Sequence, residues 1–390
     1  MAAPEPPRPR LRKPPPSLDL SNTSSAAPLV SEAGSLRDGD LSLNMQGLRM
    51  NPSGSPQAGG YKEYIGMRQE EMEVVRPLGE GTSGVVQLVR HRPTDQLMAL
   101  KTISLGISER ERKQILQELR VLHRALVHGE RTDDAQGAEA HAGESKRVPS
   151  IISFFGAFYA DGKIHIALEY MDRGSLSDVL LHKGPIEERV LACVAVQVLR
   201  GLQALQELRI VHRDVKPGNI LLNSEGDIKL ADLGMCGELA NSFSRLKSWV
   251  GTAAYMSPER ISGADYSFNS DVWSLGVSLW ESATGRYPFG SALPAGAELS
   301  PGEVASTGLT FWELLHHIVE GSEVGVALPG QELLSSFLGL ALKRITSERP
   351  DAEAMLQHKW IRANSSSPSS LKLWVQQSVS SAPVAGTGLA

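Results

Sequence analysis

Strand-like and helix-like patterns are segregated along this chain, and that segregation limits its fold more than any other feature. Three β-rich runs separated by turn residues follow Glu71, and two further strand-like runs precede Ser175. Beyond Ser175 apolar residues recur with helical spacing at 176–181, 186–208, 270–284 and 311–319. Runs of strands followed by runs of helices indicate an α+β architecture. We therefore predict a small β-rich N-lobe and a larger helical C-lobe with a cleft between them.

The segments around this domain differ from it in composition. Residues 1–60 are rich in Pro, Ser, Gly and Ala, with almost no aromatic side chain to bury, so we predict a disordered tail. Polar or small-residue stretches at 128–147 and 291–309 are interpreted as insertions. The predicted domain spans 71–361, with the N-lobe at 71–170, the C-lobe at 171–361 and a C-terminal tail at 362–390.

Composition and charge argue against several classes of protein. The net charge is −5, and no long basic face lies beyond the first thirteen residues. No apolar run reaches the about 18 to 20 residues of a membrane-spanning helix. Cys193 and Cys236 are the only cysteines, which suits a reducing compartment. We predict a soluble cytoplasmic protein with no nucleic-acid partner and no membrane insertion.

A run of charged and amide side chains carries the chemistry. Residues 210–223 read IVHRDVKPGNILLN and residues 227–234 read DIKLADLG. Asp214 would accept the proton of an incoming hydroxyl, and Lys216 would neutralise charge on a transferred phosphoryl group. Asn219 and Asp232 would ligate Mg²⁺. The order and spacing of these four residues predict phosphoryl transfer.

A glycine-rich stretch between two predicted strands is the candidate phosphate-binding site. A dinucleotide-binding fingerprint would open into a helix, whereas this stretch continues as a strand. Val86 would pack on the adenine, and Lys101 would hold the α and β phosphates. With its neighbours this stretch forms the predicted nucleotide-binding set: Leu78, Gly79, Glu80, Gly81, Thr82, Ser83, Gly84, Val86, Ala99 and Lys101.

A helix predicted at 108–124 follows these strands. Its apolar side is formed by Ile115, Leu116, Leu119 and Leu122. Glu118 lies on the polar side and is the predicted ion-pair partner of Lys101. Glu109 and Glu111 are competing candidates near the helix start.

From about residue 71 to 361 the chain resembles the eukaryotic protein kinases, and several stretches resemble the MAP kinase kinases. These stretches are GELANS at 237–242, VGTAAYMSPER at 250–260, QILQELRVLH at 114–123 and EYMDRGSLSDVL at 169–180. The resemblance implies a dual-specificity kinase that uses ATP and Mg²⁺. Its partners would be a downstream MAP kinase, phosphorylated on Thr and Tyr, and an upstream MAP kinase kinase kinase.

The kinase resemblance assigns further residues. The backbone of Glu169 and Met171 would bind adenine where the chain crosses between lobes, and Leu168, which also fits an ordinary buried strand leucine, would border the back of the pocket. Glu259 would pair with Arg349, and Asp271 would bond to the backbone of His212 and Arg213. Leu233 stands where the usual motif has Phe.

Two serines of the activation segment are the implied phosphosites. By analogy with the family they are Ser244 and Ser248, while Ser242 and Thr252 can also be phosphorylated. Two phosphates would add roughly −3 to −4 charge. The cations available to order the segment around them are Arg213, Arg245 and Lys247.

The tails carry two candidate docking segments. A basic cluster followed by an alternating apolar pair at 8–20 resembles a MAP kinase docking motif, formed by Arg8, Arg10, Arg12, Lys13, Leu18 and Leu20. A predicted helix at 370–379 either docks an upstream kinase or packs on the C-lobe.

Two other functions compete with this interpretation. One is an ordinary Ser/Thr kinase of the related sterile-type group. The other is a pseudokinase scaffold, for which Leu233 is the sole hint and against which Lys101 and Asp214 argue.

Overall fold

The predicted division into a β-rich half and a helical half is confirmed by the computed structural model of the chain. The structure describes residues 36–38, 41–50, 62–63, 67–81, 84–104, 115–116, 119–120, 122–123, 150–232, 253–264, 267–289, 311–321, 326–364 and 368–378. Within these residues a five-stranded sheet precedes most of the helices, which is the two-lobed α+β fold.

A small antiparallel sheet precedes both lobes. Its strands are β1 (Leu36–Asp38), β2 (Leu41–Asn44), β3 (Gly47–Met50) and β4 (Lys62–Glu63), paired in that order. The β2–β3 hairpin turns where the Asn44 side chain accepts a hydrogen bond from the N–H of Gln46 (2.8 Å). Gly47 follows with a φ of 128°, which favours glycine. The expectation of disorder over 1–60 is therefore wrong for β1, β2 and β3.

The N-lobe is a five-stranded antiparallel sheet. Its strands are β5 (Met72–Gly81), β6 (Gly84–His91), β7 (Gln96–Ser104), β8 (Phe154–Ala160) and β9 (Lys163–Glu169), in the order β5-β6-β7-β9-β8. The register places Val86 opposite Lys101 and Ala99 opposite Leu168. Predicted nucleotide-binding residues thus lie on adjoining strands in the middle of the sheet.

Leucines of the N-terminal sheet complete the core of the N-lobe. Leu36, Leu41, Leu43 and Leu48 are at most 2% exposed, and β2 and β3 lie against β8. They share one apolar cluster with the helical residues Ile115, Leu116, Leu119 and Leu122. The expectation of disorder rested on the average composition of residues 1–60, which does not reveal this local pattern of leucines. The burial of these leucines favours strand formation here.

The C-lobe is helical. Its helices are α1 (Leu176–Lys183), α2 (Glu188–Glu207), α3 (Pro258–Ile261), α4 (Phe268–Thr284), α5 (Phe311–Glu320), α6 (Glu332–Ala341), α7 (Ala352–Leu356), α8 (Lys359–Asn364) and α9 (Pro368–Ser378). Helix α1 begins after Ser175, whose Oγ accepts a hydrogen bond from the N–H of Asp178 (3.2 Å). A two-stranded hairpin, β10 (Ile220–Leu222) and β11 (Ile228–Leu230), follows α2. Among the described residues, no helix is long and apolar enough to cross a membrane.

The C-terminal helix α9 packs on the C-lobe. Its residues Leu371 and Val375 are buried in the main core. Lys372 Nζ lies 2.5 Å from Glu225 Oε2, and Gln376 Nε2 donates to the carbonyl of Ser224 (3.2 Å). Of the two interpretations of this helix, packing is the arrangement observed.

A buried ion pair joins α3 to the loop before α7, as the kinase resemblance implied. Arg349 Nη1 and Nη2 lie 2.8 Å and 3.1 Å from the two oxygens of Glu259. The guanidinium also lies over the Trp273 ring, 5.2 Å from its centroid. Burial acts to raise the pKa of Glu259, but the hydrogen bonds and charge of Arg349, with the bond from Ser270, hold it below its ordinary value of 4.5.

Glu259→Gln is expected to lower the free energy of unfolding by about 3–5 kcal/mol at neutral pH, because it leaves a buried guanidinium without its counter-charge. The folded-state pKa of Glu259 is lowered, so the pair stabilises the fold above a pH of about 4.5 and that contribution is lost as the pH falls through the folded-state pKa. Urea unfolding of both proteins should therefore show a difference that shrinks below this pH.

The matched control is Asp95→Asn, which removes the charge from an exposed ion pair with Arg90 of similar length (2.7 Å). This control should leave the unfolding free energy nearly unchanged, because an exposed pair is screened by water. Equal effects of the two substitutions would contradict the role given to burial.

Candidate active site

The loop before β10 brings three predicted site residues into contact. A 3₁₀ turn over Pro217–Asn219 directs the Asn219 amide back towards Asp214. Asn219 Nδ2 donates to the Asp214 carbonyl oxygen (2.8 Å) and to its Oδ2 (2.7 Å). Lys216 Nζ lies 3.4 Å from the same Oδ2. Asp214 is therefore held by an amide and a cation from its own loop.

Lys101 and Asp232 join the two lobes at this site. Lys101 Nζ, from β7, donates to Asp232 Oδ1 at 2.7 Å, and Asp232 follows β11 by two residues. The charge of Lys101 lowers the pKa of Asp232 more than burial raises it, and Lys216 and His212 act in the same direction. Asp232 therefore stays ionised at neutral pH, as a metal-binding carboxylate must.

Asp271 of α4 holds the backbone just before Asp214, as the kinase resemblance implied. Its Oδ2 and Oδ1 accept hydrogen bonds from the N–H groups of His212 and Arg213, both at 2.8 Å. Burial raises the pKa of Asp271, while these bonds and the charges of His212 and Arg260 oppose the shift. The two N–H donors therefore stabilise the ionised form of this buried carboxylate.

The glycine-rich stretch runs from the end of β5 into β6, with Gly81 paired to Gly84. Gly84 has a φ of 125°, and a Cβ built on it would lie 2.2 Å from the carbonyl oxygen of Thr102. Only glycine fits a backbone this close to its neighbour. Leu78, Gly79 and Glu80 lie on β5 as it approaches this point.

Strand β9 ends at Glu169, where the chain leaves the N-lobe. Leu168 is half-buried beside the core and Met171 is buried. The backbone N–H of Glu169 donates to the carbonyl of Ser153 (2.9 Å), so this N–H is not available to adenine.

Sequence reasoning missed an ion pair beneath this crossing. Lys229 Nζ lies 2.9 Å and 2.8 Å from the two oxygens of Glu169, and the Ser153 N–H donates to Oε2 (3.1 Å). Burial acts to raise the pKa of Glu169, but the bonds from Lys229 and Ser153 produce a net lowering. A lysine between Ile228 and Leu230 in an apolar strand was the available signal, since a buried ammonium needs a counter-charge.

Several predicted residues lie outside the described part of the chain, so their placement stays a prediction. They are Thr82, Ser83, Glu118, Leu233, Ser244, Ser248 and the tail residues Arg8, Arg10, Arg12, Lys13, Leu18 and Leu20.

The donors at the site fit Mg²⁺ with nucleotide phosphates. Magnesium prefers oxygen ligands and is usually held by one or two carboxylates plus substrate phosphates. Asn219 uses its amide nitrogen on Asp214, which leaves its amide oxygen for a cation, and Asp232 supplies an ionised carboxylate. Among the described residues no cluster of three or more His, Cys, Asp and Glu side chains forms a metal site independent of phosphates.

Comparison with known proteins agrees with this geometry. The family model of the protein kinase domain matches residues 127–361. Mitogen-activated protein kinase kinase 1c of Physcomitrium patens is 36% identical over 339 residues, which is 85% of this chain and 89% of that protein. The dual specificity mitogen-activated protein kinase kinase dSOR1 of Drosophila melanogaster is 39% identical over 316 residues, covering 77% of this chain and 73% of that protein.

A further relative matches a shorter stretch. Dual specificity mitogen-activated protein kinase kinase 1 of Dictyostelium discoideum is 45% identical over 235 residues, or 60% of this chain, and the match spans 32% of that protein's own length. Because the protein kinase model matches more than half of the chain and relatives of this family align over most of it, the chain belongs to the MAP kinase kinase family of protein kinases.

Proposed function

We propose that this kinase transfers the γ-phosphoryl group of ATP to Thr and Tyr in the activation loop of a MAP kinase. The observation that carries the proposal is the contact of Asp214 with Lys216 and Asn219, next to the Lys101–Asp232 pair. The names of the relatives, two of which are called dual specificity kinases, support the choice of substrate.

Asp214 acts as the proton acceptor for the incoming hydroxyl. Asn219 and Lys216 both contact its Oδ2, which leaves Oδ1 for the substrate. Lys216 is close enough to neutralise charge on the phosphoryl group as it moves. Because phosphoryl transfer depends on positioning and charge more than on covalent catalysis, these contacts supply much of what the protein contributes.

Residues of the glycine-rich strands and of the C-lobe would hold the nucleotide. The backbone at Gly81 and Gly84 would contact the phosphates, and Val86, Ala99 and Leu168 would border the base. Lys101, which contacts Asp232 in this structure, would supply positive charge to the phosphates. Mg²⁺, held by Asn219 and Asp232, would neutralise charge on the β and γ phosphates.

The direct test is to incubate the Ser244→Asp, Ser248→Asp variant with candidate MAP kinases and ATP and to map the products by mass spectrometry. We expect both phosphothreonine and phosphotyrosine in the activation loop of one MAP kinase. Asp214→Asn in the same background should reduce transfer by at least about 10²-fold, because the base and its charge are lost. Phosphoserine or phosphothreonine alone would favour the sterile-type alternative, and no ATP turnover would favour the pseudokinase.

We further propose that phosphorylation at Ser244 and Ser248 by an upstream kinase activates the protein. The double variant Ser244→Ala, Ser248→Ala should then show no activation when treated with an activating MAP kinase kinase kinase, because the added charge that orders the segment is absent. The measurement is MAP kinase phosphorylation before and after treatment. Ser242→Ala is the matched control and should be activated normally; full activation of the double variant would refute the assignment.

The basic and apolar residues at 8–20 are proposed to dock the MAP kinase. Deleting residues 1–20 should raise the KM for the MAP kinase while leaving the phosphorylation of a generic peptide unchanged, because docking adds binding energy only to a partner that carries the complementary surface. Substituting Leu18 and Leu20 by Ala tests the apolar part of the motif alone. Equal losses on both substrates would count against docking.

A further inference from the structure

Arg260 ends the Met-Ser-Pro-Glu-Arg stretch and has no role in the transfer described above. It lies in α3, directly after Glu259, whose carboxylate is paired with Arg349. Arg260 Nη1 instead donates to the carbonyl oxygen of Arg213 at 2.5 Å. The segment that follows the activation loop is thus bonded to the residue immediately before Asp214.

The backbone around Arg213 is held from several directions. Its N–H donates to Asp271 Oδ1 (2.8 Å), and its carbonyl accepts the bond from Arg260. Arg213 has a φ of 73°, in the left-handed region that is unfavourable for a residue with a Cβ. Such a conformation persists where the surroundings over-determine it, and it is found most often at functional sites.

The carbonyl of Arg213 and the N–H of Asp214 belong to one planar peptide unit. The N–H end of this unit donates to His212 Nδ1 (3.3 Å), and the carbonyl end accepts from Arg260. Because both ends of this peptide group are hydrogen-bonded, its plane is fixed, and with it the direction in which the Asp214 side chain leaves the backbone. Arg260 also lies close enough to Asp271 for its positive charge to favour the ionised form of that buried carboxylate.

We propose that Arg260 is a positioning residue for phosphoryl transfer, which orients Asp214 through the carbonyl of Arg213. The inference rests on the proposed role of Asp214 as the proton acceptor. In this role Arg260 couples the position of α3 to that of the loop that contains Asp214.

The test is Arg260→Met in the Ser244→Asp, Ser248→Asp background. We expect kcat to fall by about 10- to 100-fold, because a small displacement of a reacting group has effects of this size. The KM for ATP should stay within about twofold, because no nucleotide contact is lost. Arg260→Lys keeps a charged donor and should restore most of kcat. Arg286→Met, which removes an exposed arginine just after α4, is the matched control and should leave kcat unchanged.

A kcat of Arg260→Met within about twofold of the parent, or a loss confined to KM for ATP, would overturn the proposal. If Arg260→Met does not fold, as judged by its thermal transition, Arg260→Gln takes its place under the same criteria. A parent that transfers no phosphate would refute the proposed function, whereas an active parent with an equally active Arg260→Met refutes only the role of Arg260.

Discussion

The arrangement of the candidate active site depends on one buried carboxylate. Asp271 is 3% exposed inside the C-lobe, where an ionised group without partners would be strongly unfavourable. Its partners are the N–H groups of His212 and Arg213, so these bonds both stabilise the charge of Asp271 and fix the backbone just before Asp214. These hydrogen bonds to Asp271 stabilise the left-handed backbone of Arg213, which places Asp214 beside Lys216 and Asn219.

The helix that carries Asp271 also supports the segment that contains Tyr255 and Glu259. In α4, Ser270 Oγ donates to Glu259, Ser274 Oγ donates to the Tyr255 carbonyl (2.7 Å), and Glu281 accepts from the Tyr255 hydroxyl (2.7 Å). One buried helix therefore bonds both to the loop that contains Asp214 and to the segment that contains Tyr255 and Glu259. Because both segments are bonded to the same rigid helix, they keep a fixed position relative to each other.

The success of sequence reasoning varied with the kind of interaction. Asp214, Lys216 and Asn219 could be identified because they lie within six positions of one another and their chemistry requires that order. The pairing of Glu259 with Arg349 and the bonds of Asp271 were predicted only through the kinase resemblance, since nothing local in the sequence joins residues so far apart. The kinase resemblance was not used to pair Glu169 with Lys229, which lie 60 positions apart, and this ion pair was missed. The strands at 36–50 were missed for another reason. They contain few residues with a high strand propensity, and they are stabilised by the burial of their leucines against β8.

The N-terminal sheet has a consequence for where this protein can be divided. The family match begins at residue 127, and the kinase resemblance begins near residue 71, yet Leu36, Leu41, Leu43 and Leu48 are part of the N-lobe core. A fragment that starts at either border would lack β1 to β3 and would leave β8 with an uncovered apolar surface, which favours self-association. The folded part of this kinase is therefore larger than the stretch that the family model matches.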